Sequence, residues 1–377
     1  MIAVIFWGAL GLIAYTYFGY PATLYLISWF RSNPVQRGPI RPRVSLIIAA
    51  YNEESGIREK IENTLGLDYP TESREIIVAS DGSTDKTNEI VASYKSSGVR
   101  LVALRERKGK ERAQWAAIQV ATGDILVFSD VATIIERNAL LRIVSNFRDP
   151  AVGCVSSEDK LLSDTSTTDG EGFYVKYEMF LRQLESQVNS LVGLSGSFFA
   201  ARRELCQDWS FDKDSDFLMA FHAVKKGYRA VADPTAIGFY RAVSTHHQEF
   251  RRKVRTVLRG ISGVMGNLDV LDPLKYGLFA FQVFSHKLLR WLVPVCMGCA
   301  FVSNLILLSV SGLYQWLLVG QIMFYVAATL GLLVKQFGRH ILFKVPAFFT
   351  LVNASIAVAW VQYLTGHRVV QWEPSRR

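Results

Sequence analysis

VSLIIAAYNEESGIREKIENTLG, residues 44 to 66, changes its period partway along. The first seven residues are a run that is apolar but for Ser45, as expected of a strand buried on both faces; the remainder turns and becomes helical in spacing. The unit recurs. REIIVAS (74–80) leads into DGSTDKTNEIVASYK, VRLVALRE (99–106) into GKERAQWAAIQVAT, and GDILVFSD (123–130) supplies a fourth strand. Apolar strands alternating with amphipathic helices predict a Rossmann-like α/β domain with a mostly parallel sheet covered on both faces.

In such sheets ligands collect beyond the carboxyl ends of the strands. Tyr51-Asn52-Glu53 follows the first strand, Asp81-Gly82-Ser83 the second, and Asp130 the fourth. One acid after a strand is more often a helix cap than a ligand, and Asp81 and Asp85 both admit that reading. Three such strand ends in one domain favour a site. Neither GxGxxG nor GxxxxGK[ST] occurs, which argues against dinucleotide enzymes and P-loop nucleotidases. Lys108-Gly109-Lys110, opening a helix, can meet a diphosphate through charge and helix-end amides.

Outward from this domain the composition changes. Half of the 377 residues are hydrophobic, and residues 1–30 carry no charge before Arg31. About 20 apolar residues suffice to cross a bilayer. Because Arg31, Arg37, Arg41 and Arg43 follow the run rather than precede it, the segment reads as a retained anchor with a cytoplasmic C-terminal flank. Residues 292–312 and 313–334 form a further pair of expected spans. The run 341–366 is interrupted by Lys344, Pro346, Asn353 and Gln362; it is expected to lie flat or re-enter, which returns the basic tail to the cytoplasm, the alternative being a full span. LKYGLFAFQVFSHKLLRW (274–291) mixes aromatic and basic residues, as in a helix lying in the interface. The expected organisation is an N-terminal transmembrane helix (1–30), a cytoplasmic domain (43–262, halves 43–150 and 151–262), an interfacial helix (272–291) and C-terminal transmembrane helices (292–366). That describes a multi-pass protein of the cell (inner) membrane.

The net charge of +9 matches basic residues beside membrane lipids and a basic cleft for a phosphorylated substrate. No nucleic-acid-binding pattern is present. Of the four cysteines, Cys296 and Cys299 form a CxxC inside an apolar run without a second pair, so packing is their expected role.

AYNEE (50–54), DGSTD (81–85), Gly109-Lys110 and the acid after the fourth strand, in this order, resemble the family 2 inverting glycosyltransferases of the GT-A fold. The resemblance continues through GLSGSFFAARREL (193–205), DSDFLMAFHAVKKGYR (214–229) and HHQEFRRK (246–253). YTYFGYP in the first span and YVKYEMFLRQLES (174–186) resemble membrane-anchored members that build surface polysaccharides. The resemblance implies a nucleotide-sugar donor, most often a UDP-sugar, and a lipid-linked or growing polysaccharide acceptor. Tyr51 and Glu53 would sit beside base and ribose, Asp81 would accept from the uracil edge, and Lys110 would hold the nucleotide. Asp130 matches the first acid of the family's DxD, which touches ribose and a Mg2+ or Mn2+ ion on the diphosphate. Asp216 takes the place of the catalytic base in the family's ED motif, whose Glu is here Ser215. A helix-capping role is the competing reading for Asp216, shared with Asp212 and Asp214.

Two departures bear on mechanism. Ala132 stands where the family carries a second acid, leaving a one-carboxylate metal site, a ligand from His246 or His247, or a metal-free enzyme using Arg251, Arg252 or Lys253 as open alternatives. Gln248, Arg251 and Arg252 occupy the QxxRW of processive synthases without its Trp, so these residues are expected at the acceptor or diphosphate while processive synthesis is not implied. Gly196 and its neighbours would let the acceptor approach the backbone. Glu178 and Glu185, seven apart on a helix, are expected to face solvent, the alternative being the acceptor. The leading reading is an integral membrane glycosyltransferase. Its alternatives are single-sugar transfer to a polyprenyl phosphate carrier and a catalytically silent scaffold that binds nucleotide sugar.

Overall fold

In the computed structural model, residues 1–162, 169–207, 209, 215–240, 246–334 and 336–367 are described. Asp212, Asp214, the side chain of His246 and the tail beyond residue 367 lie outside that set. Eight strands form one sheet: β1 (Val44–Ala50), β2 (Arg74–Ser80), β3 (Val99–Ala103), β4 (Ile125–Asp130), β5 (Thr133–Ile135), β6 (Val152–Leu161), β7 (Phe198–Arg202) and β8 (Arg229–Tyr240). Their order is β3-β2-β1-β4-β7-β6-β8-β5. The first four in this order are parallel, as the alternation of strand and helix requires. Every residue of β1 is buried, because helices cover both faces of the sheet.

The strand that completes the site runs the other way. β7 lies antiparallel to β4, with Ser129 opposite Phe198, so the loop before β7 emerges at the edge where β4 ends. β6 is antiparallel to β7 in turn and also finishes at that edge, as does β8, its parallel neighbour. One sheet edge therefore collects the ends of β1, β2, β4, β6 and β8 and the loop 193–197.

Among the described residues, four helices are long and apolar enough to cross a membrane: Ile2–Phe30, Leu278–Leu307, Gly312–Leu333 and Ile341–Leu364. The protein is thus an α/β domain flanked by transmembrane helices. Two boundaries differ from the sequence-based expectation. The interfacial helix expected over 272–291 does not stand apart; the chain turns at Gly277, and Leu278 begins a 30-residue helical run. Nor is the last run broken by its polar residues. Asn353 returns its amide to the Phe349 carbonyl at 2.9 Å, Ser355 bonds the Val352 carbonyl, and both side chains are buried against protein. Polar side chains that bond back to carbonyls of their own helix and are covered by neighbouring helices do not interrupt it.

Among the buried polar residues of the domain is a lysine. On the Ile57–Leu65 helix, Lys60 shares the inward face with Ile57, Ile61 and Thr64. Its amine donates to Ser129 Oγ at 2.7 Å and the Thr133 carbonyl at 2.6 Å, bracketing the turn that carries Asp130. Burial pushes this amine down to about 7, against the pull of Asp130. An unfolded lysine titrates near 10.4, so between these limits the unfolded chain binds more protons and stability rises with pH. In Lys60→Met that rise, at most about 1.4 kcal/mol per pH unit, is expected to flatten. Removing the donor from Ser129 and Thr133 should also cost roughly 1–3 kcal/mol. Urea unfolding of the detergent-solubilised protein at several pH values between 7 and 10 measures both.

Candidate functional site

The turns after β1 and β2 interlock. Asn52, at φ +50°, donates its amide to Ser83 Oγ and accepts from the Thr84 N–H with its side chain. The Glu53 amide donates to Thr87 Oγ1, and that of Glu54 to Asp85 Oδ2. A left-handed backbone suits Asn better than most side chains because its amide can bond locally. Asp81 is buried, and its oxygens accept from the backbone N–H groups of Lys108 at 2.7 Å and Gly109 at 2.9 and 3.0 Å. This carboxylate holds the loop that opens the Lys110–Val120 helix, and it does not line the cavity described below. Gly109 sits at φ +99°, where a side chain would be strained.

Lys110 reaches from that helix to Asp130, Nζ to Oδ1 2.5 Å. Burial disfavours the charged amine, but the carboxylates of Asp130 and Asp216 outweigh it and hold Lys110 above the ordinary lysine range. Burial pushes the Glu53 carboxyl up to about 7, and Asp130 and Asp85 reinforce the shift.

Opposite Asp130 lies the loop before β7. The Asp130 amide donates to the Ser197 carbonyl at 3.1 Å, and the Leu194 amide to the Asp216 carbonyl at 3.3 Å. Asp216 opens the Ser215–Lys225 helix and accepts from the Phe217 N–H with Oδ1. A Cβ on Gly196 would fall 2.3 Å from Asp216 Oδ2. Glycine is required here by the carboxylate, not by backbone conformation. Ser215, in the place of the family's Glu, turns its hydroxyl to Gln114 at 3.2 Å.

These groups meet in a cavity of about 410 Å³. Lys110, Asp130, Gly196, Asp216 and Arg252 line it, and so do Glu178 and Lys253. Tyr51, Glu53, Asp81, Gln248 and Arg251 do not. Tyr51 stacks under the Arg107 guanidinium, 4.0 Å from the ring centre. Gln248 and Arg251 are exposed on the His246–Met265 helix, while Arg252 and Lys253 turn toward the cavity and are held by Glu249 at 2.8 and 3.1 Å.

Glu178 and Glu185 are not at the solvent face expected for them. The Asp169–Val188 helix packs on the first span and on the helix starting at Leu278, so Glu185 is buried against Tyr20 and His286, at 2.7 and 2.6 Å, and Glu178 pairs with Arg290. Four further residues escaped sequence reasoning: Lys60, Asp159, Arg182 and Lys287. Asp159, at the end of β6, accepts from Ser195 Oγ at 2.6 and 2.8 Å and from Ser197 Oγ at 2.5 Å, fixing the loop that faces Asp216. A charged residue on the buried face of a helix, or inside an apolar run, is the sequence signal that Lys60 and Lys287 offered.

No group of three or more metal-ligating side chains occurs among the described residues. His247 is exposed and does not line the cavity. Asp130 carries one carboxylate oxygen bonded to Lys110, and Ala132 brings no second acid. Mg2+ takes one or two carboxylates and fills its remaining positions with water and phosphate oxygens, so the residues present fit an ion held jointly by Asp130 and a diphosphate.

Residues 45–210 match Glycosyl transferase family 2. The poly-beta-1,6-N-acetyl-D-glucosamine synthase of Staphylococcus aureus (strain COL) is 26% identical over 221 residues, 56% of this chain and 53% of that protein. The synthase of the same name from Staphylococcus epidermidis is 24% identical over 264 residues, covering 67% and 63% of the two chains. The match thus spans about half the length of the Staphylococcus aureus relative. Among solved structures, the mannosyltransferase PcManGT from Pyrobaculum calidifontis, in complex with GDP-Man and Mn2+, superposes with a TM-score of 0.72 at 25% identity, over 97% of this chain and 99% of that one. Strand order, the residues at the strand ends and these similarities agree: residues 45–210 form a glycosyltransferase family 2 domain with the GT-A fold.

Proposed function

We propose that this membrane protein transfers a sugar, with inversion, from a nucleoside diphosphate donor to a lipid-linked or growing glycan acceptor at the cytoplasmic face. One observation carries the reading: Asp216, Asp130 and Lys110 line a single cavity whose far wall includes Trp291, Val352 and Ile356 of the membrane helices. Donor chemistry and membrane access coincide there.

An acceptor hydroxyl attacking C1 must lose its proton as the C–O bond forms, and Asp216 is the carboxylate placed to take it. The bond from C1 to the diphosphate breaks on the opposite face. Lys110 supplies positive charge for the departing diphosphate, and Asp130 would hold a divalent ion there. Such an ion, when bound, supplies Lewis-acid stabilisation of the leaving group. Arg252 and Lys253 add to the positive field and oppose premature release of nucleotide. The base of the donor rests on resemblance to UDP-sugar enzymes, while the mannosyltransferase of similar fold was solved with GDP-Man. A screen must therefore carry both nucleotides. Release of UDP or GDP from candidate donors by purified protein tests the reading. Nucleotide binding without release on any acceptor extract would favour a silent scaffold, toward which the replacement of acids by Ala132 and Ser215 points.

Asp216→Asn should lower transfer by roughly 10²–10⁴-fold while nucleotide affinity, measured by calorimetry, stays within twofold. Asp130→Ala should instead weaken donor or metal binding; equal loss of nucleotide binding in both variants would contradict the division of roles. Gly196→Ala should mimic the first variant. Its methyl displaces the Asp216 carboxylate, and a misplacement near 1 Å costs roughly 100-fold in rate with nucleotide binding retained. The pH dependence of nucleotide affinity should follow Glu53. Below about 7 this carboxyl is neutral; as pH rises through that value a second negative charge appears beside Asp130 and affinity for the diphosphate falls. Glu53→Gln should remove this step from the binding profile measured between pH 5.5 and 8.5.

A further inference from the structure

Most positive charge in the cavity is already answered. Lys110 pairs with Asp130, Arg252 and Lys253 with Glu249, Arg259 with Glu111, and Arg290 with Glu178. Two lining cations are not. Lys287 makes no hydrogen bond or salt bridge among the described residues, although it belongs to an apolar helix long enough to cross a membrane. The carboxylates of Glu178 and Glu185 attract it without closing an ion pair, because both are already engaged, Glu178 by Arg290 and Glu185 by Tyr20 and His286. Among the described residues Arg182 closes no salt bridge; it donates to Ser156 Oγ and the Leu194 carbonyl, each at 3.4 Å, and attracts Glu158 from a distance.

Both flank one stretch of backbone. Lys287 Nζ lies 4.0 Å from the Cβ position of Gly193, and the Arg182 guanidinium meets Leu194. The same loop holds Asp216 through the Leu194 amide. Lys287 also sits 5.6 Å from the ring of Phe217, whose apolar neighbours include Trp291, Val352 and Ile356. An ionisable side chain within an apolar span is costly and is retained where it meets a charged partner or a polar path. Here the missing partner is an anion, and the wall beside it suits hydrocarbon.

Resting on the glycosyltransferase reading above, we propose that Lys287 and Arg182 form an anion subsite for the phosphate of a lipid-linked acceptor, entering the cavity from the membrane side. The phosphate serves as an anchor. A hydroxyl of the sugar it carries attacks C1 of the donor, its proton passes to Asp216, the C1–O bond to the diphosphate breaks, and the nucleoside diphosphate leaves. The subsite lies on the acceptor side of the 193–197 loop, whereas Lys110 and Asp130 serve the donor.

Farnesyl diphosphate is a suitable probe, joining a phosphate anion to an isoprenoid chain. Its binding to the full-length protein in detergent can be measured by thermal stabilisation, beside farnesol, inorganic diphosphate, UDP and GDP. The parent protein should be stabilised by farnesyl diphosphate, not by farnesol, and less by inorganic diphosphate. Lys287→Met and Arg182→Gln should each weaken that binding by tenfold or more while UDP or GDP binding, which also reports an intact fold, is unchanged. Unaltered farnesyl diphosphate binding in both variants would overturn the proposal. So would a matching loss of nucleotide binding, which would assign the two cations to the donor, or equal binding of inorganic diphosphate, which would remove the lipid. A parent protein that binds neither nucleotide would instead refute the glycosyltransferase chemistry of the preceding section.

Discussion

An oxygen of Asp216 occupies the space in which a side chain on Gly196 would begin. That contact is the constraint on which the site depends, and sheet topology imposes it. Because β7 enters antiparallel beside β4, the loop preceding it meets the carboxyl ends of the parallel strands, and Asp130 bonds directly to that loop. The helix carrying Asp216 is then gripped from two sides. Met219, Ala220 and Ala223 pack on the sheet, while Phe217, Leu218 and Phe221 join the cluster that contains Val352 and Ile356 of the last membrane helix. A carboxylate on a doubly buried helix has little freedom to drift, which is what a base acting at one position needs.

Charge around Asp130 is arranged in depth. Lys110 answers it from the cavity, and Lys60 bonds the strand turn from beneath, at Ser129 and Thr133. With Ala132 leaving this turn one acid short, the two amines matter more, because fewer negative charges remain to oppose an incoming diphosphate. Glu53, pushed up to about 7, contributes a carboxyl that can be neutral when the donor arrives. Under the proposed function, an anionic donor would bind by exchange: phosphate oxygens would join or replace Asp130 as the partner of Lys110, so that positive charge is not left unanswered in a poorly solvated site.

How far the sequence revealed this follows from the reach of each signal. Strand–helix alternation is local, and the parallel half of the sheet with its acidic strand ends was legible from it. Asp216 was singled out by resemblance, with local pattern unable to separate it from neighbouring acids. The function of Gly196 was visible only as permissiveness, since the carboxylate it accommodates comes from 20 residues further along the chain. Asp81 shows the complementary limit: an acid after a strand looks alike whether it faces a ligand or the loop beside it, and here its oxygens accept from the amides of Lys108 and Gly109. On the His246–Met265 helix a one-residue step turns the side chain by about 100°, and so Arg252 rather than Arg251 faces inward. Glu178 and Glu185 have the spacing of a solvated stripe; only the docking of their helix on membrane segments buries them.

That docking links membrane and catalytic domain by more than apolar contact. Tyr20 of the first span and His286 of the second converge on Glu185, within the last turn before Val188 at the helix end, while Arg290 holds Glu178 about two turns earlier on the same helix. Replacing such buried polar contacts with hydrocarbon is often neutral for stability, and their best-attested effect is to select one register of packing over others. Here the register selected is the one that brings residues 193–197 between the membrane helices and the sheet. Arg182 and Lys287 reach that loop from the two elements so joined, the first from the domain helix and the second from the span. A cavity lined by Asp130 and Asp216 on one side and by apolar membrane helix on the other can admit an acceptor that is itself amphiphilic without desolvating both its ends, and a fully polar acceptor gains nothing from that wall.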